Sequence, residues 1–166
     1  MRGGHAQNKR LIINKIRTLK QQEDFKAPFD TLVLLPVMWG EMDAFGHINN
    51  VVYMRYFETA RVQYFDRLAG MQNFPGDIKP ILASITGTYK RPIVYPDTLR
   101  IYVGVTKLGG ASMTMACEMY SEKGYLAFQG ECVLVMFDVV KQRPVGIPQV
   151  VRDFARSIDG EKIEQA

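Results

Sequence analysis

Residues 50–68 carry apolar side chains at Tyr53, Phe57, Ala60, Tyr64 and Leu68. Steps of four, three, four and four keep these on one side of a helix with 3.6 residues per turn, so the spacing predicts a helix of about five turns. Asn49 or Asn50 supplies the N-cap and Gly70 the stop. Around this helix the pattern is β. Thr31–Trp39 reads as a first strand, with Pro36 marking an edge or a bulge. Ile81–Lys90, Leu99–Lys107, Ser112–Tyr120 and Tyr125–Val139 follow as strands, the last three joined by turns at Gly109-Gly110 and Glu122-Lys123-Gly124. Lys141–Pro148 holds three breakers and reads as a loop, and Gln149–Ile158 as a short closing helix. One long helix and then strands without helices between them is an α+β layout, in which an antiparallel sheet buries one face against that helix.

With 166 residues, 47% of them hydrophobic and 18 aromatic, the chain carries enough apolar area for one domain core. That domain is placed at 29–158, after a basic extension at 1–28 and before a tail at 159–166. From Met1 to Lys26 seven Lys/Arg face two acids, whereas the remainder is close to neutral. The basic character therefore belongs to the arm, and nucleic acid is not expected as a partner. Leu11, Ile12, Ile16 and Leu19 lie near helical spacing between basic residues in an arm without serine and without an acid before Glu23. This is compatible with a targeting segment or a plain extension, so cytoplasm and mitochondrion both stay open. The apolar runs are too short for a membrane span. Cys117 and Cys132 sit inside strands as small buried hydrophobes would, which fits a reducing, intracellular setting. In Val133–Phe137 every position is apolar, so both faces of that strand need cover, and a homo-oligomer is expected.

The stretch Trp39–Tyr53 packs Glu41, Asp43, Gly46, His47, Asn49 and Asn50 into the loop that feeds the helix. A helix N-terminus presents backbone N–H groups and partial positive charge, which stabilise an oxyanion forming on a carbonyl. A carboxylate just upstream reaches the same point. Asp43 can then attack that carbonyl or activate a water, while Gly46 allows close approach of the backbone and His47, Asn49 and Asn50 position the acyl group. The same residue types also serve as turn and cap residues. With two histidines in the chain a metal site lacks ligands. Glu41, two residues before Asp43, points to the same side if the segment is extended, and Glu58 pairs with Arg61 one turn on if it is structural.

The run Trp39-x-Glu41-x-Asp43-x-x-Gly46-His47-Ile48-Asn49-Asn50-x-x-Tyr53, continued by Tyr56-Phe57-Glu58-x-Ala60-Arg61, resembles the hotdog-fold acyl thioesterases grouped with 4-hydroxybenzoyl-CoA thioesterase. The similarity extends through Tyr89-x-Arg91-Pro92-Ile93-x-x-x-Asp97, Gly109–Ser112 and Pro144–Pro148, from about Leu32 to Ile158. The resemblance implies a hotdog fold, an antiparallel sheet wrapped around one long central helix, in homodimers or homotetramers with sites at subunit interfaces. It implies hydrolysis of acyl-CoA or a related thioester, with Asp43 as general base or nucleophile and helix N-terminal amides as the oxyanion hole. No metal or organic cofactor is implied. Tyr53, Glu58, Lys90 and Arg91 become candidates for substrate binding, the last two for the CoA phosphates, although a solvated pair of charges at a strand end looks the same. Two positions depart from relatives. Phe45 stands where plant acyl-carrier-protein thioesterases have an Asn that supports the carboxylate, and Asn50 where some bacterial members have a His. The alternative on the same fold is a catalytically weak acyl-CoA-binding or scaffold protein. A dehydratase is disfavoured, because its His-Phe-Pro type of motif is missing.

Overall fold

The computed structural model describes residues 25–68 and 74–164. Six strands and two α-helices follow in the order β1 (Thr31–Pro36), α1 (Asn50–Asp66), β2 (Ile78–Tyr89), β3 (Thr98–Leu108), β4 (Ser112–Tyr120), β5 (Leu126–Asp138), β6 (Arg143–Pro144) and α2 (Gln149–Asp159). All strand pairs are antiparallel, and the sheet order is β1-β3-β4-β5-β2, with β6 added on β5. This is the α+β hotdog arrangement, with the sheet curved about α1.

The apolar stripe of α1 is buried as expected, Phe57, Ala60 and Tyr64 completely. The buried face is wider than the stripe, because Val52, Tyr56, Arg61 and Phe65 are buried as well. Opposite it lie Leu99, Ile101, Val103 and Val105 of β3, Met113, Met115, Cys117 and Met119 of β4, and Phe128, Cys132, Leu134 and Met136 of β5. Gly130 makes this close approach possible: a Cβ there would come within 2.7 Å of the Phe128 ring and 3.1 Å of Phe57. The two cysteines are free and buried, and burial pushes both thiols up from their ordinary range.

Several boundaries differ from the sequence expectation. The first strand stops at Pro36, which lacks the N–H to continue the ladder, and Trp39–Glu41 forms a 3₁₀ turn instead of extended chain. Strand β2 begins three residues early, at Ile78, and runs through Pro80, which an edge strand tolerates. The loop at 141–148 contains the two residues of β6, and the closing helix continues to Asp159. Helix α1 ends at Asp66; the expected stop at Gly70, and the arm at 1–24, lie outside the described residues. On β5, Leu134 and Met136 face the core while Val133, Val135 and Phe137 are only half-buried on the opposite face. No helix among the described residues is long and apolar enough to cross a membrane.

Candidate active site

The loop between β1 and α1 is a tight hairpin. An isolated bridge joins Met42 to Ile48. Inside it the Gly46 amide donates to the Asp43 carbonyl at 3.0 Å, and the Asp43 amide donates to the His47 carbonyl at 2.8 Å. Gly46 has φ +77, a left-handed conformation that glycine adopts without strain, which closes the turn and returns the chain toward the helix. The Phe45 amide donates to Asp43 Oδ1 at 2.8 Å. The carboxylate is thus supported by the main chain of Phe45, whose side chain is 86% exposed.

The next residues start α1. Asn49 is the N-cap, its side chain accepting from the Val51 amide at 3.0 Å, and its carbonyl accepts from the Val52 amide at 2.9 Å. Two first-turn amides are thus consumed by the cap. The Asn50 N–H donates to no group among the described residues. The Ile48 amide donates to the Ile93 carbonyl, and Tyr53, buried below, accepts at its hydroxyl from the Ile93 amide at 3.1 Å. Burial pushes the Tyr53 hydroxyl above its ordinary pKa. These contacts fasten the loop and the helix start to the chain leaving β2.

A cavity of about 300 Å³ results, lined by Asp43, His47, Ile48, Asn50, Tyr53, Tyr89, Lys90, Arg91 and Pro92. Asp43 is half-buried at its wall, whereas His47, Lys90 and Arg91 are exposed at the rim. Tyr53, Tyr89 and Phe128 form a cluster with ring centroids 5.3–5.5 Å apart. The Tyr89 hydroxyl donates to the Asn50 carbonyl, and the Arg91 guanidinium lies 5.6 Å from the Tyr125 ring centre. Among the described residues no group of three His, Cys, Asp or Glu side chains is placed to hold a metal.

Six of the nine candidates from the sequence therefore line one cavity: Asp43, His47, Asn50, Tyr53, Lys90 and Arg91. Gly46 and Asn49 shape it from outside, as turn and cap. Glu58 is not brought there. It is exposed further along α1 beside a second cavity, and no ion pair with Arg61 forms among the described residues. Glu41 does not flank Asp43 in an extended strand. The 3₁₀ turn aims its carboxylate at the Tyr56 hydroxyl, which donates to it, and at the Met38 amide at 2.9 Å. Burial and this carboxylate raise the Tyr56 hydroxyl far above its ordinary pKa. Tyr89, Ile48 and Pro92 were not singled out from the sequence, although the block Tyr89–Pro92 held the signal.

A profile of the thioesterase-like superfamily matches residues 37–154, which include the whole cavity. The chain belongs to the thioesterase-like superfamily. Among its relatives, the uncharacterised protein YsmA of Bacillus subtilis is 32% identical over 113 residues, 68% of this chain and 76% of the relative. The acyl-CoA thioester hydrolase YbgC of Escherichia coli O6:H1 is 23% identical over 124 residues, 71% of this chain and 90% of that protein. A Thermus thermophilus thioesterase solved with coenzyme A and zinc superposes with a TM-score of 0.72 at 30% identity, over 81% of this chain and 98% of that one.

Proposed function

We propose that this protein hydrolyses acyl-CoA, or a closely related acyl thioester, to a carboxylic acid and a thiol at the Asp43 cavity. One observation carries the reading: Asp43 and Asn50, whose backbone amide is unengaged, line the same cavity, at the mouth of which Lys90 and Arg91 supply positive charge. In the general-base route Asp43 takes a proton from water as the water oxygen bonds to the thioester carbon. Charge on the carbonyl oxygen is met by the Asn50 N–H at the positive end of α1. The carbon–sulfur bond then breaks, and the thiolate leaves and takes up a proton. In the nucleophilic route an Asp43 oxygen bonds to that carbon and expels the thiolate, and water hydrolyses the mixed anhydride. Lys90 and Arg91 suit the CoA phosphates. The activity in the name of one relative, and coenzyme A bound to another, support the choice of thioester.

Thiol release from a panel of short, long and aromatic acyl-CoAs tests the reading. Asp43→Asn is expected to lower turnover about 100-fold or more with the fold intact. Near-normal hydrolysis by that variant removes Asp43 from the mechanism, and acyl-CoA affinity without thiol release in the native protein establishes the binding-protein alternative. Single turnover in oxygen-18 water tests the nucleophilic route, because label in Asp43 arises only when water attacks the Asp43 carbon of the anhydride.

We further assign the β2 edge to a second copy of the chain. Eight of the twelve residues of this strand are exposed and none is fully buried, and Ile81 and Leu82 are 46% and 43% accessible. A long apolar edge is the kind of surface that pairs with another strand.

A further inference from the structure

A second cavity, of about 200 Å³, lies between α1 and β2 and is lined by Glu58, Arg61, Val62, Phe65, Pro80, Ile81, Leu82 and Leu134. Its walls are apolar apart from two side chains. Glu58 is exposed. Arg61 is only 7% accessible, its guanidinium lies 5.2 Å from the Phe57 ring centre, and its Nη1 is buried with no hydrogen-bond partner. No carboxylate among the described residues pairs with it. A buried guanidinium with an unused donor and no counter-charge is costly, and the cost is recovered when an acceptor, best an anion, enters beside it.

Position relates this cavity to the first. Both lie along the seam between α1 and β2, the Asp43 cavity at residues 89–92 and the Arg61 cavity at residues 80–82. Asn50 and Arg61 are eleven residues apart on α1, close to three full turns, so they share one face of the helix at about 16 Å separation. Between them stands Met54, whose Cε lies 2.9 Å from where a Cβ on Gly87 would be. The inner face of Gly87 is covered by the buried Phe128 ring, 2.4 Å from that Cβ position, and by the Met54 thioether, which is flexible enough to swing aside.

We propose that the Arg61 cavity receives the far end of the acyl group, and that Arg61 selects acyl chains ending in a carboxylate. The substrate class is then the ω-carboxyacyl thioesters, with the thioester at Asp43, the methylene chain along the seam and the terminal carboxylate at the Arg61 guanidinium. This rests on the thioesterase reading above. Glu58 at the mouth opposes an incoming carboxylate, but it is exposed and screened by solvent, so it tempers the preference without reversing it.

Two measurements test the proposal. The first is the ratio of kcat/KM for dodecanedioyl-CoA over dodecanoyl-CoA, and for the octanedioyl and octanoyl pair, in the native protein, Arg61→Lys and Arg61→Met. The native ratio is expected to be tenfold or more for the chain length that spans the seam. It should fall to about one in Arg61→Met, persist in part in Arg61→Lys and rise in Glu58→Gln. A native ratio at or below one for both lengths, or a ratio that Arg61→Met leaves unchanged, overturns the proposal. If Arg61→Met does not fold, the native ratio with the Lys and Gln variants decides in the same way. The second is calorimetric binding of free dodecanedioate and dodecanoate to the native protein and to Asp43→Asn. Tighter binding of the dicarboxylate in both supports the Arg61 site even if no thioester is hydrolysed. Equal binding of the two acids makes the cavity a site for product carboxylate and overturns ω-carboxylate selection, as does failure of both to bind.

Discussion

The Asn50 amide gives the oxyanion role its sharpest test, because it sits at the first position of α1, where proline is tolerated. The preceding Asn49 already has ψ 139, the conformation a following proline requires. Asn50→Pro is therefore expected to keep the helix and remove the one first-turn N–H that the cap leaves unengaged, with turnover falling about 100-fold or more. Asn50→Ala, which retains the N–H, should stay far closer to the native rate. Equal rates for the two variants in a thiol-release assay would exclude this amide. At this scale the sequence pattern already singled out Asp43. Which atom supports its carboxylate was not legible, because donation by the Phe45 amide depends on a turn geometry that main-chain atoms of any residue can supply. Glu41 was equally opaque: its partner Tyr56 lies fifteen residues away, across a turn that reads as strand.

Elements were legible where their punctuation is local. Strand β4 runs from Ser112 to Tyr120, as expected between its two glycine turns. The start of β2 was hidden because Pro80 reads as a breaker until the strand is known to lie at an edge. Helix α2 shows what local pattern omits. At its last residue, Asp159 is buried and accepts at Oδ2 from the Tyr64 hydroxyl at 2.7 Å and the Val105 amide at 2.9 Å, tying α2 to α1 and to β3, while Oδ1 has no partner. Burial raises its pKa, with Asp30 nearby raising it further; the two hydrogen bonds and Arg67 act in the opposite sense. The folded state therefore holds this proton more tightly than the unfolded chain does. Stability from this group is greatest below the ordinary carboxyl value of about 4 and declines as pH rises through the raised value. Denaturant unfolding across acidic to neutral pH should show a shallower decline for Asp159→Asn than for the native protein, and identical slopes would remove Asp159 as the cause.

For the whole molecule the open question of assembly falls on β2, since the sheet order leaves it at an edge with its apolar residues uncovered. Light scattering is expected to give at least twice the mass of one chain, and Ile81→Lys to lower that mass by placing charge on the joining edge. A native protein that runs as a single chain would rule the edge out as an interface. By itself the sequence determined what depends on neighbours along the chain: the period of α1, the turns that separate strands, and a carboxylate shortly before a helix start. Only the tertiary structure decided what depends on distant residues meeting. It carried Tyr89–Pro92 to the Asp43 loop, sent Glu41 and Glu58 elsewhere, and buried Arg61 without a counter-charge. The physical reason is that hydrogen-bond geometry and helical period act over a few residues, whereas burial and charge pairing are properties of surfaces that exist only once the sheet has closed around the helix.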